Sequence, residues 1–168
     1  MQKGEWMPVL IDEAPPYLKQ DIMSYLYSYH LRRHFLFMNT HTDFLRQLVV
    51  HMKRSVYLPN NYIVEKGDVD STMYFIHRGE VGAFDSREGV EVQCFMLSTN
   101  MSFGEAQGLH RVPFPLSYKA LTVVEVLALK RSRWEYLLQF FPASREELTV
   151  KSQEYGLLEA LTYSTMEN

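Results

Sequence analysis

The stretch YLPNNYIVEKGDVDSTMYFIHRGEVGAF, residues 57–84, is a series of short apolar segments cut by Pro59-Asn60-Asn61, Lys66-Gly67-Asp68 and Arg78-Gly79-Glu80. Proline gives no N–H to a ladder, and glycine and asparagine tolerate the positive φ of tight turns, so these clusters read as chain reversals. The pieces between them are too short for stable helices and suit strands. Downstream, Val90, Val92, Cys94 and Met96 alternate along the chain, Arg87-Glu88-Gly89 breaks the run before them, and Val124, Val126 and Ala128 alternate again. Many short strands at this spacing predict a compact antiparallel barrel or roll over residues 54–131. Within it, Cys94 is expected to be a buried apolar residue.

Outward from this zone the period changes to that of helices. In PYLKQDIMSYLYSYHLRRHF, residues 16–35, Leu18, Ile22, Tyr25, Leu26 and Tyr29 form one apolar stripe after Pro15-Pro16. In NTHTDFLRQLVVHMKR, residues 39–54, Thr40 or Thr42 can cap a second helix and Asp43 suits its first turn. Lys53 and Arg54 close that helix, with Phe44, Leu45, Leu48, Val49 and Met52 facing inward. On the other side, Ser132–Glu135 and Ser144–Glu147 match the S-x-x-E capping box, and Pro142 separates two helices. The second of these is expected over about 145–161, with Leu148, Tyr155, Leu158 and Leu161 on one side. The fold class is therefore α+β: an antiparallel β-roll at 54–131, with helices at 1–53 and 132–168.

Composition narrows the function classes. With 46% hydrophobic and 22% charged residues the 168-residue chain is globular, and a net charge of -3 recruits neither nucleic acid nor an acidic membrane overall. One cysteine makes no internal disulfide and fits a reducing compartment. No apolar run of membrane-spanning length occurs, and MQKGEWMPVLIDE lacks the basic start and apolar core of a signal peptide. The expectation is a soluble, intracellular domain, either complete or one piece of a larger protein.

The ordered set Leu58-Pro59, Gly67, Tyr74-Phe75-Ile76 and Gly79-Glu80-Val81, followed by Phe103-Gly104-Glu105 and ALTVVEVLALKRSRW, resembles a cyclic-nucleotide-binding domain over roughly residues 40–160. Within that family the wording is similar to the cytoplasmic tail of cyclic-nucleotide-gated and hyperpolarisation-activated cation channels. The resemblance implies that the helices before residue 40 correspond to part of a linker that makes tetramer contacts, with a membrane pore upstream and no enzymatic activity. Bacterial transcription regulators with this roll carry a basic recognition helix, whereas SREELTVKSQEY after residue 143 is mixed in charge.

The resemblance also assigns a ligand site. In the family Phe103-Gly104-Glu105 would bring backbone and carboxylate to the ribose of cyclic AMP or cyclic GMP, and an arginine nine residues on would hold the phosphate. Here that residue is Phe114, followed by Pro115, which has no N–H. Hydrogen bonds to a charged group are worth roughly 1.5–3 kcal/mol each, so losing two weakens binding about 10²- to 10⁴-fold. Cyclic AMP and cyclic GMP are therefore expected to bind weakly or not at all. The alternatives are a working sensor in which Arg111 supplies the charge, with His110 adding to it if protonated, and a constitutive assembly module without ligand. Gly104 as a simple turn residue and Glu105 as the cap of a short helix are the plainer readings of those positions.

Six histidines raise a metal question. His30 and His34 stand i, i+4 on a helix, but no cysteine or carboxylate is placed to complete a site, so both are expected to be solvated beside Arg32 and Arg33. No metal, resident cofactor or nucleophile–base set is expected. Tyr163 in LTYSTMEN reads as part of a frayed tail rather than a segment folded into the pocket.

Overall fold

The turn clusters fall where the strands end. In the computed structural model, which describes residues 11–156, the strands are β1 Lys53–Tyr57, β2 Tyr62–Val64, β3 Thr72–Arg78 and β4 Val81–Arg87. They continue with β5 Val90–Leu97, β6 Ser102–Phe103, β7 Ser117–Ala120 and β8 Val124–Lys130. Gly79 turns β3 into β4 at φ 108°, and a Cβ there would lie 2.5 Å from the Val123 carbonyl oxygen. Only glycine meets both demands.

The strands form two four-stranded sheets, ordered β1-β8-β3-β6 and β2-β7-β4-β5. All pairings are antiparallel. The fold is the expected α+β roll. Its central strands are buried on both faces, because alternate side chains serve different cores. From β3, Tyr74 and Ile76 point into the roll while Met73 and Phe75 meet the helices. From β8, Val124 and Val126 join the roll interior, and Leu127 and Leu129 join the helical side.

The helices are α1 Pro16–Arg33, α2 Thr42–Val49, α3 Glu105–Leu109, α4 Arg131–Trp134, α5 Leu137–Phe140 and α6 Pro142–Glu154. Residues before and after the roll share one core, in which Leu31, Phe37, Phe44, Trp134 and Leu148 are all buried. Polar and aromatic contacts stitch the two ends together. Lys151 Nζ donates to the carbonyls of Met38 at 2.7 Å and Leu36 at 3.3 Å. Phe35 meets Tyr155 at 4.4 Å between ring centres, and Phe44 meets Phe141 edge-on at 5.3 Å. The C-terminal helix thus rests on the N-terminal helical layer.

Several local expectations are corrected. On α1 the buried residues are Met23, Tyr27, His30 and Leu31, while Tyr25 is 84% exposed and Leu18 is exposed too. The buried face lies one position on from the predicted stripe, because α1 carries apolar and aromatic residues around most of its circumference and packing chooses among them. Helix α2 buries Phe44, Leu45, Leu48 and Val49 as expected, but its cap is His41, whose Nδ1 accepts from the Asp43 N–H. It ends at Val49, so Lys53 and Arg54 open β1 instead of closing a helix. Neither capping box forms at the described caps: α4 follows β8 directly from Lys130, and α6 starts at Pro142, whose fixed φ suits a first helical turn. Strand β5 is exposed almost throughout, and Cys94 with it; it is an edge strand, paired with β4 alone. Leu158, Leu161 and Tyr163 lie outside the described residues.

Candidate functional site

Phe114 lies inside the roll with 1% of its surface exposed. Two backbone bonds hold it there: its N–H donates to the Asp68 carbonyl at 2.9 Å, and its carbonyl accepts from the Gly67 N–H at 2.8 Å. The neighbouring segment is stitched down by the Lys66 N–H to Ser117 Oγ at 2.8 Å and by Gln107 Nε2 to the Pro113 carbonyl at 3.3 Å. The turn at 66–68 therefore anchors the Pro113-Phe114-Pro115 segment.

Around Phe114 the interior is aromatic. Phe103 is sandwiched between Tyr118, at 4.2 Å and 8° from parallel, and Tyr74, at 5.0 Å and 14°. Phe114 meets Tyr118 edge-on at 6.1 Å and Tyr74 at 6.4 Å. Such ring pairs contribute about 0.5–1.5 kcal/mol each beyond the area they bury. Burial, with the nearby Glu105 charge second, pushes the Tyr118 phenol up to about 12.

Gly104 joins β6 to α3 in the left-handed region at φ 81°. A Cβ on it would come within 2.7 Å of the Thr72 carbonyl oxygen and 3.2 Å of the Phe114 ring. Phe103, Gly104 and Phe114 are thus brought together. What the glycine lets come close in this structure is the Thr72 carbonyl and the Phe114 ring.

Glu105 opens α3 and its carboxylate is committed elsewhere. Oε1 accepts from Ser102 Oγ at 2.5 Å and from His34 Nε2 at 3.1 Å. The His34 ring is oriented because Nδ1 accepts the Leu36 N–H at 3.1 Å, which puts the proton on Nε2. Burial works to raise the Glu105 pKa, but the hydrogen bonds from His34 and Ser102 outweigh it and leave the carboxyl below its ordinary value. Arg111 is exposed and Pro115 is half-buried. His110 adds no charge at neutral pH, since burial, with Arg131 second, lowers its pKa.

Sequence reading missed His34 and Ser102. Ser102 was legible in principle, as it stands three residues before Glu105 in an S-x-x-E spacing. His34 was not, because a contact spanning 71 residues leaves no local trace.

His30 and His34 are buried at 5% and 7% exposure, which corrects the expectation of solvated histidines. His30 Nε2 meets His77 Nδ1 at 3.0 Å, and Tyr29 Oη meets the same atom at 3.2 Å, joining α1 to β3. Burial, then the His77 and Arg33 charges, lower the His30 pKa from 6.5 to about 4. The unfolded chain therefore takes this proton first as pH falls. The stability held by neutral His30 is fully present above about pH 6.5 and is lost as pH drops toward about 4, by roughly 3 kcal/mol. Urea unfolding at a series of pH values should show that loss, and His30→Gln should flatten it; an unchanged profile would rule out His30 as its source.

With this geometry in hand, residues 54–139 match the family described as the cyclic nucleotide-binding domain. The chain belongs to the cyclic nucleotide-binding domain family. Among relatives of this cyclic nucleotide-binding domain, the potassium channel KOR1 of Oryza sativa subsp. japonica is 26% identical over 151 residues, covering 88% of this chain and 18% of that protein. The human voltage-gated inwardly rectifying potassium channel KCNH6 is 31% identical over 147 residues, covering 86% of this chain and 15% of the channel. Subunits of cyclic nucleotide-gated channels match as well. The chain spans under a fifth of the length of KOR1 and KCNH6. Among solved structures, the N-terminal domain of a transcriptional regulator from Streptomyces coelicolor A3(2) superposes with a TM-score of 0.68 at 22% identity, covering 75% of this chain and 91% of that one. That likeness speaks to the fold of the cyclic nucleotide-binding domain alone.

Proposed function

We propose that this cyclic nucleotide-binding domain is the cytoplasmic regulatory domain of a tetrameric cation channel, that it modulates gating without catalysing a reaction, and that it binds cyclic AMP and cyclic GMP weakly or not at all. The observation that carries the reading is Phe114. It takes the position at which the family's spacing puts the phosphate-binding arginine, and its ring is packed into the aromatic interior. A cyclic phosphate needs a cation and free N–H donors. Here the ring is apolar, the Phe114 N–H is spent on Asp68, and Pro115 has none to offer. Glu105, the family's ribose acceptor, is already engaged by His34 and Ser102.

In this reading the packing of the roll, rather than a bound nucleotide, sets the position of α6. The Lys151 and Tyr155 contacts pass that position to the N-terminal helices, which join an upstream pore and make the tetramer contacts. A ligand can shift such an equilibrium only by its difference in affinity for the two states. With no ligand the domain acts as a constitutive coupling and assembly module.

Calorimetric titration with cyclic AMP and cyclic GMP is expected to give dissociation constants near 1 mM or weaker. A value below about 10 µM, which corresponds to roughly 7 kcal/mol, would overturn the weak-binding reading. If Arg111→Ala then abolished that binding, the exposed arginine would be the phosphate ligand.

A further inference from the structure

A cavity lies on the opposite side of the β3–β8 sheet from Phe114, between α1, the α2–β1 connection and α4. Its volume is about 330 Å³, and it shares no residue with the site around Phe114. That places it at the small end of ligand pockets, which span roughly 300–1,000 Å³.

Four basic side chains from separate elements line it: Lys19 of α1, Lys53 and Arg54 of β1, and Arg133 of α4. Arg54 is held by an ion pair with Glu125. The side chains of Lys19, Lys53 and Arg133 have no carboxylate or hydrogen-bond partner among the described residues. In a chain whose net charge is -3, such a cluster is a local reversal of sign. One carboxylate, Asp12, shares the rim and is exposed. Even with Glu125 and Asp12 counted, cations exceed anions. The field registers on a neighbouring group: burial, then Arg133 and Lys19, lower the His51 pKa, while the imidazole Nε2 meets Tyr136 Oη at 3.0 Å. Below the basic rim the wall is apolar, with Met23, Tyr27 and Met52 all buried.

We infer that this cavity binds a compact polyanion in which two or more phosphate groups are carried on a small ring, such as an inositol polyphosphate, free or as a lipid headgroup. A single negative charge cannot satisfy three separate cations, whereas clustered phosphates can bridge them. Lysine and arginine are the side chains that hold phosphate oxygens by charge-assisted bonds. The apolar wall suits the carbons of the ring. The interaction weakens with salt, since much of the rim is open to solvent.

The test uses the whole 168-residue chain. Inositol trisphosphate is titrated by calorimetry at low and high salt, and co-sedimentation is measured with phosphatidylcholine vesicles with and without phosphatidylinositol bisphosphate. Binding of at least one probe is expected, with loss of 100-fold or more in Lys53→Glu/Arg133→Glu, about tenfold for each cation removed. The exposed Arg111→Glu should leave binding intact. If the double reversal fails to fold, judged by its melting curve, Lys53→Gln/Arg133→Gln gives the same reading. Trisphosphate binding without vesicle binding identifies a free ligand, and vesicle binding alone identifies a lipid headgroup. The inference is overturned if neither probe binds, or if Arg111→Glu weakens binding as much as the cavity variants do. Neither result depends on whether the roll binds a cyclic nucleotide.

Discussion

Phe114→Ala is expected to lower the unfolding free energy by about 3–5 kcal/mol, the range for truncating a buried phenylalanine. The ring is 1% exposed, meets Tyr74 and Tyr118, and lies against Gly104, so little around it can collapse into the space it leaves. The backbone bonds to Gly67 and Asp68 survive the substitution, which isolates the contribution of the side chain. Chemical denaturation of the wild type and variant measures the difference. A change below about 1 kcal/mol would mean that the ring is an accessory of the roll and not part of its core.

The second large effect is on ligand affinity. Phe114→Arg/Pro115→Ala supplies a cation and an N–H donor at the two positions that the proposed function assigns to them. Two charge-assisted hydrogen bonds at roughly 1.5–3 kcal/mol each should strengthen cyclic AMP binding by about 10²- to 10⁴-fold over the wild type. The unliganded variant should melt lower than the wild type, because an unpaired guanidinium replaces a buried ring. Saturating cyclic AMP should raise that melting point again, since a ligand that binds only the folded state stabilises it. Unchanged affinity in a folded variant would follow if Phe114 does not stand at the phosphate position. It would equally follow if the Glu105 carboxylate stays locked to His34, so His34→Ala in the same background separates the two causes: restored affinity there assigns the block to the latch.

Much of the architecture was legible from local chemistry. The clusters at 59–61, 66–68, 78–80 and 87–89 fall between strands because proline, glycine and asparagine act through their own backbone preferences, and those do not depend on distant residues. Period-2 and helical patterns placed the roll and its flanking helices for the same reason. The site was legible only in part. The Phe-Gly-Glu run and Phe114 could be aligned by spacing, but the sandwich of Phe103 between Tyr74 and Tyr118 joins three strands far apart in the chain.

Where the reading failed, the cause was tertiary choice. Helix α1 offers apolar residues on most sides, and only contact with α2 and the sheet selects Met23, Tyr27, His30 and Leu31 for burial. The alternation in β5 looks like that of a core strand, yet Val90, Val92 and Met96 are exposed, as nothing from elsewhere in the described chain covers them. His30 and His34 look like solvated cations beside two arginines, yet they are buried against His77 and Glu105. The order of strands and turns, and the phenylalanine between two prolines at position 114, are properties of short segments and can be read one segment at a time. Which side of a helix is dry, which strand is outermost and which carboxylate is occupied depend on what arrives from elsewhere in the chain, because burial and hydrogen-bond partnership are properties of pairs of segments.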